Sequence, residues 1–131
     1  MSGISEDKEQ EAIFAWASEN AGRLPELDCL YAIPNGGTRH PAEAVKLKKT
    51  GVKPGVPDLC LPVSRKAFNA LYIELKRESL RPKRPSSRGG VSEEQAHWII
   101  RLTCAGNAAK VCYGARDAIS TILRYLSGVP L

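Results

Sequence analysis

Three charged residues stand where two β-strands should be apolar. Asp58 opens the segment Asp58-Leu59-Cys60-Leu61-Pro62-Val63, and Glu74 and Lys76 close Ala70-Leu71-Tyr72-Ile73-Glu74-Leu75-Lys76. A spacing of two puts Glu74 and Lys76 on the same face of a strand. If the two segments pair antiparallel, the start of the first lies beside the end of the second and the three charges converge. Two carboxylates a few ångströms apart repel, and one tends to keep its proton. A hard divalent cation relieves that penalty, because Mg²⁺ takes one or two carboxylates, keeps several waters and uses phosphate oxygens as further ligands. The carbonyl of Leu75, between Glu74 and Lys76, could add a ligand. A cation held this way polarises a phosphodiester and acidifies a bound water. Lys76 can orient that water or stabilise charge developing on the phosphate. The set therefore suits metal-assisted phosphodiester hydrolysis. A lone Glu-x-Lys is commonly only a solvated face or an ion pair; the aspartate after Gly55-Val56-Pro57 on the preceding strand gives this one its chemical reading.

The elements that must position these residues are legible from patterning. Ser5 caps a helix starting at Glu6 and Asp7, both favourable at a positive N-terminus. Gln10, Ile13, Trp16, Ala17 and Asn20 follow at helical spacing, with Gly22 and Pro25 as stops. Residues 29–33 read as a short strand, closed by the turn signal Pro34-Asn35-Gly36-Gly37. Residues 41–50 suit a short basic helix ended by Gly51. The two charged segments suit a hairpin through Ser64-Arg65-Lys66. Residues 77–91, rich in Pro, Ser, Gly and basic side chains, have little to bury and are expected to form a mobile loop. Ser92-Glu93-Glu94-Gln95 has the form of a capping box, and Gln95, Trp98, Ile99 and Leu102 make a helical stripe. Residues 108–113 read as a buried strand. A last helix over about 116–127 is expected to bury Ile119, Ile122, Leu123 and Leu126. The strand–helix–strand unit implies a parallel pair and the hairpin an antiparallel one. The expected fold is α/β, a mixed sheet of about four strands flanked by helices.

Composition bounds the rest. The 131 residues suit one domain with a real core. No run approaches the ~18 apolar residues of a membrane helix, and the acidic N-terminus lacks the apolar region of a signal peptide. Nineteen Lys+Arg against fourteen Asp+Glu give +5. The excess is local. Arg39, Lys46, Lys48, Lys49 and Lys53 stand against Glu43, and Lys76, Arg77, Arg81, Lys83, Arg84 and Arg88 against Glu78. Two such segments suit either a polyanion such as DNA or merely solvated loops. Cys29, Cys60, Cys104 and Cys112 form no close-spaced pair, so buried free thiols in a reducing cytosol are expected rather than zinc or disulfides. His40 and His97 are separated, and Trp16 and Trp98 sit on apolar helix faces.

Gly55-Val56-Pro57-Asp58 followed by Glu74-Leu75-Lys76 resembles the PD-(D/E)XK nuclease signature. Further pieces resemble its VRR-NUC branch, the virus-type replication-repair nucleases: Glu6…Gln10, Pro34 to Arg39, Ala44…Leu47-Lys48 before Gly51, and Ser92-x-Glu94-Gln95. The likeness runs from about residue 5 to 126. It implies a restriction-endonuclease-like fold and Mg²⁺- or Mn²⁺-dependent cleavage of DNA, with no organic cofactor. Asp58 and Glu74 would be metal ligands and Lys76 the catalytic lysine. Gln95 matches the family's glutamine after the core motif, although a capping-box glutamine also has a purely local job. Glu6 matches the acid of the first helix, with Glu9, Glu11 and Gln10 as competitors. Asn35-Gly36-Gly37 could approach a phosphate or be only a turn. Standalone members are similar to phage and bacterial enzymes, in the bacterial or infected-host cytosol, that act as dimers on branched DNA such as Holliday junctions. A symmetric dimer would double the basic surface of so small a chain. Two rivals stay open: a sequence-specific restriction-type enzyme, and a nucleic-acid-binding module with a silent site.

Overall fold

The computed structural model describes residues 4–34 and 40–131. Eight elements follow in order: α1 (Glu6–Asn20), β1 (Tyr31–Ala32), α2 (Pro41–Lys49), β2 (Leu59–Leu61), β3 (Leu71–Lys76), α3 (Glu93–Cys104), β4 (Ala108–Tyr113) and α4 (Gly114–Leu126). The strands form one sheet in the order β1-β2-β3-β4. β1 and β3 both run antiparallel to β2, and β4 runs parallel to β3. The mixed four-stranded sheet expected from the sequence is the observed one.

Strand alternation divides the sheet into two unlike faces. Leu59, Leu61, Leu71, Ile73, Leu75, Ala108 and Cys112 point to one side, where Ile13 and Ala17 of α1 and Ala118, Ile122 and Tyr125 of α4 close the core. Cys60, Tyr72, Glu74 and Lys76 have the opposite parity and point to the other side. There α3 packs against β4. No residue of α3 is fully buried, so its stripe of Gln95, Trp98, Ile99 and Leu102 is only half covered.

Local chemistry moves some boundaries. Residues 29–33 do not form one strand. Pro25 starts a 3₁₀ turn over Pro25–Cys29, closed by the Leu30 amide on the Leu27 carbonyl at 3.2 Å, and only Tyr31–Ala32 remain extended in the sheet. Helix α4 begins two residues before the expected Arg116. The Asp117 carboxylate accepts from the Tyr113 amide at 2.9 Å, and the buried Glu9 carboxylate accepts from the Ala115 amide at 3.2 Å. Its buried face is also different from the expected one: Ala118, Thr121, Ile122 and Tyr125 are covered, while Leu123 is exposed. Tyr125 wins the inward position because its hydroxyl donates to the Val63 carbonyl at 2.6 Å, which removes the cost of burying a phenol. All four cysteines are free as expected, but Cys29 and Cys104 are exposed, each at the end of a helical turn.

Glu9 thus caps α4 from across the fold, with its carboxylate at the helix's positive end. Glu9→Ala is expected to cost about 1–2 kcal/mol, as lost caps do. Urea unfolding measures it, and an unchanged midpoint would remove the capping role.

Candidate active site at one end of the sheet

The β2–β3 register pairs Leu59 with Ile73 and Cys60 with Tyr72. One residue further, the same register sets Asp58 opposite Glu74. Two hydrogen bonds fix Asp58 there. Its carbonyl accepts from the Ile33 amide at 2.7 Å, and its Oδ2 accepts from the Leu75 amide at 2.7 Å. The approach to Asp58 is equally constrained. Gly55 has φ +86°, and a Cβ there would come within 2.8 Å of the Glu94 backbone at the start of α3. Pro57 is fully buried. Glycine is thus needed twice over at position 55, for its torsion and for the close approach of a helix.

Glu74 and Lys76 are both buried, and Lys76 Nζ lies 3.7 Å from Glu74 Oε2. The Glu74 carboxyl is pushed up to about 8. Burial is the largest cause; repulsion from Asp58 and a hydrogen bond with the Asp58 side chain follow. Lys76 pulls the other way, and Glu6 adds a small further push upward. The lysine is therefore too little to offset a desolvated carboxyl facing a second one.

A pocket of about 290 Å³ opens at Asp58, with Leu75, Glu6 and Gln10 also in its wall; Glu74 and Lys76 do not line it. The amide of Leu75 points toward Asp58, and in a strand the carbonyl of a residue lies on the same side as its amide. The Leu75 carbonyl thus faces the pocket side, beyond the end of the β2 ladder. Among the described residues no trio of His, Cys, Asp or Glu side chains forms a closed metal cage.

Other candidate residues sort by position. Glu6 is exposed and reaches the pocket, as does Gln10 one turn on; Glu9 is occupied at α4, and Glu11 is exposed and paired with Lys8 at 3.5 Å. Asp7 also lines the pocket, a residue that sequence reasoning missed although it lies three positions from Gln10 on one helix. Gln95 completes its capping box: its Oε1 accepts from the Ser92 amide at 2.9 Å, and its own amide donates to Ser92 Oγ at 3.1 Å. It is not in the pocket wall. Lys46, Lys48, Lys49, Lys53, Arg77, Lys83, Arg84 and Arg88 are exposed. Arg81 is engaged, donating to Glu78 at 2.7 and 3.0 Å and to the Tyr113 carbonyl at 3.3 Å. The 77–91 segment is tied down again where Tyr113 donates its hydroxyl proton to the Gly89 carbonyl at 2.9 Å. Arg39 and the Asn35-Gly36-Gly37 turn lie outside the described residues.

Comparison with known proteins places this geometry in a family. The VRR-NUC domain model matches residues 4–116. The chain belongs to the VRR-NUC family. A solved structure named as a VRR_NUC domain protein is similar over 100% of this chain and 99% of its own, at 30% identity and a TM-score of 0.77. No protein with a curated description matches. The VRR-NUC chain described here thus has a nuclease-type fold, and among its described residues no helix is long and apolar enough to cross a membrane.

The raised Glu74 carboxyl has a consequence for stability. Its folded value lies above its ordinary 4.5, so the folded state holds the extra proton and loses stability as pH rises from about 4.5 to about 8. In EDTA the melting temperature of the wild type should fall across that window. Glu74→Gln should flatten the slope; a mutant that follows the wild-type curve would assign the titration elsewhere.

Proposed function

We propose that this VRR-NUC chain is a Mg²⁺- or Mn²⁺-dependent DNA endonuclease that acts as a dimer and cuts branched DNA such as Holliday junctions. The observation that carries the reading is the Asp58–Glu74 carboxyl pair on adjacent strands, with Lys76 on the same face. As a structural feature the pair is unfavourable: a buried Glu74 faces the half-buried Asp58, and a single lysine compensates them poorly. As a receptor for a hard dication it is apt. Asp58, Glu74 and the Leu75 carbonyl would hold the ion, an oxygen set of the type Mg²⁺ and Mn²⁺ prefer. When bound, the ion supplies Lewis acidity toward a phosphate oxygen and a water of lowered pKa.

The chain's own residues do the rest. Lys76 brings a fixed positive charge to the reacting phosphate in a desolvated setting, where such a charge is worth far more than in water. Glu6 and Gln10 stand at the pocket wall, where they can hold water or a ligand to the ion. The lysines of α2 and of residues 77–88 neutralise phosphates along the DNA, a contribution that falls steeply with salt. Contacts to phosphates carry no sequence information of their own, which favours selection by DNA shape.

Purified protein is incubated with labelled linear, flap and four-way DNA in Mg²⁺, Mn²⁺ or EDTA, and cuts are mapped. Cuts beside the branch point that need a dication are expected. Fixed motifs on linear duplex would favour a restriction-type enzyme. Lys76→Ala should lower cleavage by about 100-fold or more while leaving DNA binding in EDTA nearly intact. Equal loss of binding would make Lys76 a folding or contact residue. Asp58→Asn should suppress turnover likewise. Light scattering that shows single-chain mass, with and without DNA, would remove the dimer.

A further inference from the structure

At the opposite end of the sheet lies a second concavity, of about 710 Å³, larger than the pocket at Asp58. It is independent of the nuclease reading. Phe68, Val129 and Leu131 form its apolar walls and are each about 40% exposed, while the buried Tyr125 lies against Phe68 with ring centroids 6.4 Å apart. The wall is built rather than frayed. Arg124 donates twice to the Pro130 carbonyl, at 3.1 and 2.7 Å, and the Val129 amide donates to the Arg124 carbonyl at 2.9 Å.

The charged side chains on this groove are all positive: Arg65, Lys66 and Lys110, with no Asp or Glu in the lining. Arg65 is spent on Glu26 and on the Leu126 carbonyl. Lys66 and Lys110 have no acidic partner among the described residues. Lys66 is also the one non-glycine described residue with a positive φ, +52°. Its stem lies against Gly128, where a Cβ would come within 2.6 Å of Lys66 Cε. A left-handed torsion and a cleared neighbour thus set this lysine on the groove.

One rim of the groove is a sheet edge. The Ala108 amide bonds to the Ala70 carbonyl, so the backbone groups of Ala109 and Val111, of opposite parity, face away from β3. Neither has a hydrogen-bond partner among the described residues. An open edge with a nearby apolar groove is the setting in which an extended segment adds as a further strand.

The geometry points to this groove as a docking site for an extended segment of a partner protein in which apolar side chains are flanked by Asp or Glu. The β4 edge supplies main-chain hydrogen bonds at Ala109 and Val111. The Phe68–Val129–Leu131 wall takes an apolar side chain, and Lys66 and Lys110 meet the carboxylates. Charge complementarity selects this occupant. Two unpaired cations on an apolar floor suit a short acidic–apolar peptide, whereas duplex DNA would set phosphates against hydrocarbon.

Fluorescence anisotropy tests this with a labelled nine-residue peptide alternating Asp and Leu around a central Phe, against a version with Lys for Asp. Saturable binding of the acidic peptide alone is expected, weakened about tenfold or more by Phe68→Asp and by the Lys66→Glu/Lys110→Glu pair. The far Asp58 site should keep its cleavage rate in both variants, and circular dichroism checks their fold. Lack of saturation by about 1 mM peptide, a range of very weak affinity, would overturn the site. So would binding indifferent to both variants, or displacement of the peptide by single-stranded DNA. If Phe68→Asp instead turns a dimer into a monomer, the groove belongs to a second copy and the partner-peptide proposal fails.

Discussion

Everything at the Asp58 end depends on one register. The β2–β3 ladder sets position 58 against position 74, and the same ladder puts Leu59, Leu61, Leu71, Ile73 and Leu75 into the core. A slip of β3 by one residue would turn Leu71, Ile73 and Leu75 outward and drive Glu74 and Lys76 inward. Each such apolar side chain gains about 2 kcal/mol on burial, roughly 6 kcal/mol for the three of β3. Burying an imperfectly compensated ionisable pair costs several kcal/mol. The apolar set wins, so the core holds two acids in a position they would not choose. The Leu75 amide on Asp58 Oδ2 and the parallel β3–β4 pairing remove the remaining freedom.

That imposed proximity is where structure becomes chemistry. A pair built for stability would match each acid with a cation. Here Lys76 faces Glu74 at 3.7 Å, yet the Glu74 carboxyl still stands near 8, because burial and Asp58 outweigh the lysine. The proton it keeps occupies the place a stronger Lewis acid could take. Such a local breach of good polar matching, surrounded by well-matched elements, is the usual mark of a functional site.

The core of the site was legible because it follows from period two. Parity alone put Glu74 with Lys76, and the hairpin brought Asp58 to them. The capping box at Ser92 and Gln95 was legible for the same local reason. The acid of α1 was not, since Glu6, Glu9 and Glu11 look alike in sequence. Tertiary contact separates them: Glu9 shares the inward row of Ile13 and Ala17 and reaches α4, leaving Glu6 at the pocket. The start and buried face of α4 were hidden likewise, because both depend on partners far along the chain, Glu9 and the Val63 carbonyl. The exposed Cys29 and Cys104 show the limit of reading burial from apolar neighbours, which ignores where a helical turn ends.

The two concavities lie at opposite ends of the same strands. Asp58, Glu74 and Lys76 gather at the carboxyl end of β3, the end at which ligands of open α/β sheets are commonly bound. The groove of Phe68 and Lys110 opens near the amino ends of β3 and β4. Six residues at about 3.3 Å each separate them by roughly 20 Å. A sheet transmits little net dipole along that length, and the apolar core between the two ends carries no charge relay. An occupant of the groove would therefore leave the electrostatics of the carboxyl pair nearly untouched. It would act by holding the domain near whatever the partner binds rather than by tuning the carboxyl pair, since tethering raises local concentration without changing any contact at the site.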